Sequence, residues 1–312
     1  MVDVAAVKAR LGRRFKGRIV VGAPLADFTT FHIGGPADLV AIPRGPEDLK
    51  RLAYAVTEAG AALLVLGRGS NVLVSDRGFR GVAAVLSGGM GRIKKKGKDE
   101  AYVEGGCDLN RLISWAIELG LGGLEDLYGI PGSVGGAVRM NAGAWGSCIG
   151  DTVEEVEVLR LEEGDVHERR LTAEEMGFAY RHTRIGDNEI IYEVKLKLHR
   201  SDRVSLESRR REVMGWRMEN QPLGQASAGS VFRNPEGVAA GALIERCGLK
   251  GMRVGEAMVS DVHANFIVNL GGARAQDVYR LMEQVKREVR QREGIQLEEE
   301  IRLVGEMGES GS

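Results

Sequence analysis

Residues 63–71 read LLVLGRGSN, a short apolar run followed at once by a glycine-rich turn. The apolar run predicts a buried strand. Glycines let the backbone turn tightly and bring N–H groups close to an anion, and Ser70 and Asn71 add side-chain donors. Taken alone, the pattern fits a turn that binds nothing as well as a turn that binds a ligand.

A second glycine-rich loop lies at residues 129–137, GIPGSVGGA, within the nearly uncharged stretch 121–150. Such a loop suits a cofactor diphosphate held by backbone donors. The alternative is a glycine corner packed in the core. Two loops of this kind in one region favour a bound, phosphate-bearing ligand.

The spacing of the first loop excludes the common nucleotide motifs. Gly67 and Gly69 are followed by Ser70, Asn71 and Val72, so the third glycine of GxGxxG is missing. Residues 97–98 form a Gly-Lys pair, but an aspartate follows where a P-loop needs Ser or Thr. A dinucleotide would have to be held in another way.

Composition narrows the class of protein further. The chain has 312 residues, a net charge of -1 and three scattered cysteines, Cys107, Cys148 and Cys247. This charge argues against a nucleic-acid partner, and unpaired thiols suit a reducing cytoplasm. The arginine-rich start has no apolar run behind it, so neither a signal peptide nor a membrane span is expected. No histidine, cysteine and carboxylate spacing predicts a metal.

The pattern of elements predicts an α+β fold rather than a doubly wound sheet, because strand pairs alternate with single helices. Predicted helices are 46–56, one opened by Asp108 and closed by Gly120, 201–219, 238–246 and 274–293. Predicted strands are 63–66, 82–86, a hairpin around 94–98, 156–160 with its return at 166–171 after a turn at 163–165, 190–198, 230–233, short strands near 252–259 and 264–269, and 295–304. The charged helix 201–219 predicts a domain boundary.

Several segments, in a fixed order over nearly the whole chain, carry a family resemblance. They are residues 30–35, 66–71, 123–143, 179–181, 229–235, 263–269 and 297–301. With them the sequence resembles the UDP-N-acetylenolpyruvoylglucosamine reductase family, flavoenzymes of bacterial peptidoglycan precursor synthesis. Two departures are visible. Thr29 stands where the family commonly has Asn. The segment after Arg181 is short, as in the branch that lacks an extra substrate-covering loop and its tyrosine.

The resemblance implies a fold and a domain plan. The family has a two-lobed FAD-binding domain of the vanillyl-alcohol-oxidase (PCMH) type and a C-terminal α+β substrate domain. For this chain the FAD domain is expected at 20–205, with lobes at about 20–75 and 76–205, and the substrate domain at 206–305. Residues 301–305 are expected to return to the first lobe.

The implied reaction reduces UDP-N-acetylglucosamine enolpyruvate to UDP-N-acetylmuramate. NADPH would reduce non-covalently bound FAD and leave, and the hydride would then pass to the vinyl carbon of the substrate. Ser230 is implied as the proton donor, and Arg181 as the cation for the substrate carboxylate. Glu300 would bind that carboxylate if protonated or orient Arg181 if ionised. From the residues alone, Ser230 suggests a turn, Arg181 a surface charge and Glu300 a solvated strand position that shares its face with Glu298.

The resemblance also implies binding residues. Those for FAD are Gly67, Gly69, Ser70, Asn71, Gly132, Ser133, Gly135, Gly136 and Ala137. Those for the substrate are Tyr180, Asn234 and His263, although Tyr180 could simply pack and His263 could be structural. Lys250 suits either a phosphate contact or a surface charge.

The expected protein is therefore a cytoplasmic monomer that acts on NADPH and a nucleotide sugar, with no nucleic acid, membrane insertion or metal. Two other functions remain open at this point. One is a related FAD-dependent oxidase or dehydrogenase of alcohols or 2-hydroxy acids. The other is a flavin-binding or nucleotide-sugar-binding protein without activity.

Overall fold

The computed structural model describes residues 4–307. Its α-helices are α1 (Val4–Leu11), α2 (Pro46–Glu58), α3 (Leu109–Glu118), α4 (Val134–Arg139), α5 (Ala173–Met176), α6 (Arg203–Asn220), α7 (Ala240–Arg246) and α8 (Ala275–Glu293). Its strands up to residue 148 are β1 (Arg18–Val21), β2 (Ala37–Ile42), β3 (Leu63–Leu66), β4 (Val72–Val74), β5 (Phe79–Val85), β6 (Ile93–Lys96), β7 (Glu100–Glu104), β8 (Leu121–Gly122), β9 (Gly143–Ala144) and β10 (Ser147–Cys148). The later strands are β11 (Val153–Glu162), β12 (Asp165–Thr172), β13 (Glu189–Lys197), β14 (His199–Arg200), β15 (Ala226–Ser230), β16 (Arg253–Val254), β17 (Ala257–Val259), β18 (Phe266–Asn269) and β19 (Arg302–Val304). This mixture confirms the predicted α+β class.

The described chain divides into two compact units. The first unit comprises residues 4–23, 38–68 and 80–215, and the second comprises residues 24–37, 69–79 and 216–307. The predicted domains (20–205, with lobes about 20–75 and 76–205, and 206–305) were drawn as continuous segments. The compact units are discontinuous, and the predicted domains remain a prediction.

The first unit contains two main sheets. One has the order β1-β2-β5-β3, with β3 and β5 parallel, and the other is antiparallel in the order β12-β11-β13-β7-β6. The apolar faces of β11 and β13 and of helix α3 are buried in one core that includes Val156, Val194, Leu112 and Ile113. The first glycine loop leaves β3, an edge strand of the first of these sheets, so this strand fixes where the loop begins.

Helix α3 shows how local sequence sets an element of the first unit. Asp108 caps its start, because the side chain accepts a hydrogen bond from the backbone N–H of Arg111 at 2.9 Å. Gly120 follows its end in the left-handed region, with a φ of 64°. Both ends were predicted from the sequence and are confirmed.

The second unit has a sheet in the order β15-β18-β17-β16, with α7 and α8 sharing its core. Strand β19 pairs in parallel with β4, and Arg302 lies opposite Val72. The expected return of residues 301–305 to the N-terminal part of the chain is therefore confirmed.

The strand predicted at 230–233 is wrong in its position. Strand β15 ends at Ser230, and residues 231–233 bond to irregular backbone instead of a ladder. The Asn265 side chain both accepts from the N–H of Phe232 at 3.0 Å and donates to its carbonyl at 2.8 Å. A buried side-chain amide thus occupies the backbone groups that a strand would use.

The strand predicted at 295–304 is also mostly wrong, since only Arg302–Val304 is a strand. Before it there is a single bridge, between Phe232 and Glu299. The predicted placement of Glu298 and Glu300 on one face of a strand stays a prediction.

Candidate functional site

The two glycine loops meet inside the first unit, at Gly67 and Ser133. A Cβ atom at Gly67 would overlap the Oγ atom of Ser133. That hydroxyl is fixed, because it caps α4 by accepting from the N–H of Gly136 at 3.3 Å and Ser133 is buried. Glycine at position 67 is therefore required for the two loops to touch.

A third segment, residues 105–108, joins these loops. The N–H of Gly135 donates to the carbonyl of Gly105 at 2.8 Å, and the N–H of Val134 donates to the carbonyl of Cys107 at 2.8 Å. The sequence reasoning missed this segment. The available signal was the pair of glycines directly after the strand that became β7.

Asp108 ties the first loop to helix α3. Its Oδ2 atom accepts from Nη1 of Arg68 at 2.6 Å, while Oδ1 caps the helix through the N–H of Arg111. The cation of the first loop is thus already paired with a carboxylate. Any phosphate bound here would rely chiefly on backbone N–H groups and hydroxyls.

Packing within the protein does not require a glycine at position 136 in the second loop. Gly136 lies exposed in the first turn of α4, and a Cβ there would meet only the Oγ of Ser133, at 3.3 Å. A ligand that approaches the backbone closely would account for the missing side chain. The N–H groups of Val134, Gly135 and Gly136 already donate to the Cys107 carbonyl, the Gly105 carbonyl and the Ser133 hydroxyl, so the start of α4 offers close approach rather than free amide donors.

The remainder of the first loop belongs to the second unit. Gly69 has a φ of 60°, and its carbonyl accepts from the N–H of Thr30 at 3.2 Å. Asn71 donates through Nδ2 to the carbonyl of Glu300 at 3.1 Å, and its own carbonyl accepts from the N–H of Arg302 at 3.0 Å. The side chain predicted as a cofactor donor is therefore engaged with the segment that contains Glu300.

The structure places Ser230 and Glu300 on neighbouring stretches of the second unit. Ser230 ends β15 opposite Phe266, and the N–H of Glu300 donates to the carbonyl of the next residue, Val231, at 2.8 Å. Gly229, with a φ of 75°, turns the chain just before the serine. A backbone hydrogen bond thus holds Glu300 beside Val231, the residue that follows Ser230.

Arg181, in the first unit, sits in a strained turn. Residues 179 and 182 exchange two backbone hydrogen bonds, of 3.0 and 3.2 Å, and Arg181 between them has a φ of 52°. A left-handed conformation costs a residue with a side chain about 1–2 kcal/mol. Its Nη2 atom donates to the carbonyl of Gly143 at 3.0 Å, and its guanidinium lies 5.2 Å from the ring of Tyr180. Strain at a charged residue points to a role for its position.

Tyr180, beside Arg181, is 54% exposed. The side chain therefore has room to contact a ligand, although exposure alone does not identify one. The structural alternative, that Tyr180 simply packs, is weakened by this exposure.

Asn234 and His263 have structural partners in the second unit. The Oδ1 atom of Asn234 accepts from the N–H of Ala240, the first residue of α7, at 3.0 Å. Nδ1 of His263 accepts from the N–H of Asn265 at 3.2 Å. Burial, with a smaller effect of the Lys250 charge, lowers the pKa of His263 from its usual 6.5, so the imidazole is neutral at pH 7. A contact of either residue with a substrate stays a prediction.

No cluster of three or more histidine, cysteine or acidic side chains among residues 4–307 is arranged to hold a metal ion. None of the helices in this range combines the length and apolarity needed to cross a membrane.

Comparison with known proteins gives consistent matches. The family model described as UDP-N-acetylenolpyruvoylglucosamine reductase, C-terminal domain, matches residues 221–304, and one described as FAD binding domain matches residues 37–169. Over 293 residues, the chain is 45% identical to UDP-N-acetylenolpyruvoylglucosamine reductase 2 of Symbiobacterium thermophilum, covering 94% of each chain. It is 44% identical to the corresponding reductase of Heliobacterium modesticaldum, covering 96% of this chain and 95% of that protein.

A solved structure is also similar over nearly the full length. The crystal structure of UDP-N-acetylenolpyruvylglucosamine reductase from Thermus caldophilus aligns with a TM-score of 0.79 and 40% identity. The alignment covers 93% of this chain and 100% of that one.

Proposed function

The chain belongs to the UDP-N-acetylenolpyruvoylglucosamine reductase family, and on that basis we propose that it reduces UDP-N-acetylglucosamine enolpyruvate to UDP-N-acetylmuramate in peptidoglycan precursor synthesis. It is an FAD-dependent oxidoreductase, and we propose NADPH as its hydride source. One hydride and one proton add across the vinyl double bond, and NADPH becomes NADP⁺. The observation that carries this proposal is 45% identity over 94% of the chain.

We propose that both glycine loops hold FAD without a covalent bond. The residues concerned are Gly67, Gly69, Ser70, Asn71, Gly132, Ser133, Gly135, Gly136 and Ala137. The exposed backbone at Gly136 supports this assignment, because a ligand can approach closely where there is no side chain. When bound, FAD accepts a hydride from NADPH and delivers it to the substrate.

Ser230 is the proposed proton donor. Its Oγ–H would give a proton to the substrate carbon next to the one that receives the hydride. A serine hydroxyl is a weak acid, so a nearby charge or water must assist it. The backbone of Glu300, one hydrogen bond away from Val231, supports a role for this glutamate in that environment.

Arg181 is the proposed partner of the substrate carboxylate, whose negative charge grows as the hydride arrives. A guanidinium offers two parallel N–H donors to a carboxylate and remains charged at every accessible pH. Its strained φ of 52° supports the assignment, because the turn holds the side chain at an energetic cost. Glu300 is proposed to bind the same carboxylate or to orient Arg181.

The proposed substrate contacts differ in their support. Tyr180 is exposed and stacks beside Arg181, which favours a contact near the carboxylate. Asn234 and His263 are each occupied by one structural hydrogen bond, so their proposed substrate contacts would use other atoms.

We further propose that the enzyme is a cytoplasmic monomer. Cys107 and Cys247 are buried and all three cysteines are free thiols, which suits a reducing compartment. Sedimentation at micromolar concentration should give one species of 33.8 kDa.

A spectroscopic experiment tests the function. Purified protein should show an FAD spectrum that NADPH bleaches under anaerobic conditions. Adding UDP-N-acetylglucosamine enolpyruvate should restore the oxidised spectrum and yield UDP-N-acetylmuramate by mass. Recovery of the spectrum with oxygen but not with this substrate would contradict the proposal and favour an oxidase.

A further inference from the structure

Asn141 and Arg181 lie on two different segments of the first unit, and both have left-handed backbone conformations. Their φ angles are 43° and 52°, in a region that residues other than glycine seldom adopt. Asn141 is buried and lies shortly after the end of α4. Arg181 is partly exposed, in the turn formed by residues 179–182. Each of these conformations must be held by contacts from the surrounding chain.

The side chain of Asn141 connects two other parts of the chain. Its Nδ2 atom donates to the carbonyl of Ala179 at 2.9 Å, and its Oδ1 atom accepts from the N–H of Gly150 at 3.1 Å. The space is tight, since a Cβ atom at Gly150 would lie 2.8 Å from Oδ1 of Asn141. Ala179 is the first residue of the turn that contains Arg181. The buried amide of Asn141 therefore fixes the start of this turn.

Two further side chains join the same segments. Nη2 of Arg181 donates to the carbonyl of Gly143 at 3.0 Å, and Oγ1 of Thr183 donates to the carbonyl of Arg139 at 2.8 Å. Asn141 thus binds the carbonyl two residues before Arg181, and Arg181 binds the carbonyl two residues after Asn141. The two left-handed residues hold each other's segments in place.

We propose that Asn141 positions the guanidinium of Arg181 for the substrate carboxylate, an inference that rests on the proposed function. The two-donor fork of a guanidinium binds a carboxylate well only when it is correctly oriented. A displacement of about 1 Å near the reacting atoms can slow a reaction about 100-fold. Because Asn141 acts through the turn and contacts no substrate atom, it is a positioning residue and not a catalytic one.

Asn141→Asp tests the inference, because it removes the donor and keeps the size of the side chain and an acceptor for Gly150. A carboxylate oxygen would face the carbonyl of Ala179, so the turn should shift. Anaerobic reoxidation of the reduced flavin by UDP-N-acetylglucosamine enolpyruvate should slow about 10- to 100-fold. FAD content and the rate of flavin reduction by NADPH should stay at wild-type values.

Asn188→Asp is the matched control in the same unit. The exposed Asn188 also donates through Nδ2 to a backbone carbonyl, that of Leu161 at 3.0 Å. Its loss should leave both half-reactions at wild-type rates, because this bond does not contact the turn of Arg181.

A double-mutant cycle with Arg181→Ala separates positioning from a general structural role. If Asn141 acts through Arg181, Asn141→Asp should slow reoxidation by no more than about a further twofold in the Arg181→Ala background. Equal slowing in both backgrounds would overturn the assignment. So would equal losses in the two half-reactions of Asn141→Asp.

Asn141→Gly is the second variant if Asn141→Asp does not hold FAD. Glycine adopts a φ of 43° without strain, and it also lacks the donor. Asn141→Gly should retain FAD and show the same selective slowing. A wild-type reoxidation rate in it, or loss of FAD from both variants, would overturn the inference.

The same measurements distinguish this inference from the function on which it rests. A wild-type reoxidation rate in Arg181→Ala would remove the role that Asn141 is inferred to serve. A wild-type protein that UDP-N-acetylglucosamine enolpyruvate does not reoxidise would instead refute the proposed function.

Discussion

Gly67 and Ser133 are packed so closely that position 67 has no room for a side chain, although the two residues come from separate glycine loops. The same serine hydroxyl caps α4. This one contact therefore links the first glycine loop to the start of α4, which begins within the second glycine loop.

Gly67→Ala should weaken FAD binding at least about tenfold and lower the free energy of unfolding by about 1–3 kcal/mol, as overpacked sites do. The new methyl group would displace the Ser133 hydroxyl and so remove the cap of α4. Flavin content after dialysis and denaturant unfolding of the apoprotein measure the two effects.

Gly215→Ala is the matched control for that variant. Gly215 lies within α6, and a Cβ there would meet no other atom within 4 Å. This substitution should stabilise the helix by up to about 1 kcal/mol and leave flavin content unchanged. Full flavin retention in Gly67→Ala would show that the loops tolerate separation.

Ser230→Ala should separate the two half-reactions. Reduction of the flavin by NADPH should proceed at the wild-type rate, while reoxidation by the enolpyruvyl substrate should slow about 10²- to 10⁴-fold, the usual contribution of a positioned acid. Anaerobic stopped-flow absorbance measures both rates. Equal losses in both would mean that Ser230 maintains the fold near β15 and donates no proton.

Arg181→Gly should lose activity but should be more stable than Arg181→Ala. Glycine adopts a φ of 52° without strain, so Arg181→Gly should unfold at a free energy about 1 kcal/mol higher than Arg181→Ala. Both variants should lose most substrate reduction, as should Arg181→Lys, because an ammonium cannot reproduce the two-donor fork. Denaturant melts and turnover of the three variants test this. Near-normal turnover in Arg181→Lys would remove Arg181 from the proposed chemistry.

His263 should make the protein less stable in mild acid. Since burial lowers the pKa of His263 in the folded state, the unfolded chain binds the proton more readily. The contribution to stability is complete above the unfolded pKa, near 6.5, and is lost as the pH falls through the lower folded pKa. Protonation of Nδ1 would also break the hydrogen bond from the N–H of Asn265.

His263→Gln should therefore reduce the loss of unfolding free energy between pH 7 and pH 5 by up to about 1 kcal/mol. Urea melts of both proteins across that range measure it. Parallel curves for wild type and variant would assign the acid sensitivity to other groups.

The sequence predicted those features whose causes are local. Helix α3 is an example, since Asp108 and Gly120 mark its ends and apolar spacing marks its buried face. The first loop was located because an apolar strand leads directly into glycines. The FAD-binding class followed from the order of many short segments, none of which is specific alone.

The sequence did not predict features that depend on distant partners. The Asn265 side chain binds the backbone N–H and carbonyl of Phe232 where a neighbouring strand was expected, and no local sequence pattern predicts this. The contact of Gly67 with Ser133, and the contacts of both loops with residues 105–108, likewise depend on tertiary packing. The strand predicted at 295–304 was too long because the segment forms only one bridge before β19.

The parallel pairing of β4 with β19 also has a consequence for the order of events during synthesis. Asn71 emerges from the ribosome early, but its hydrogen bonds go to Glu300 and Arg302. A nascent chain that lacks these residues cannot form the hydrogen bonds that hold Asn71 in the first glycine loop. If this loop holds FAD as proposed, chains that lack residues 300–302 should bind no flavin and remain colourless.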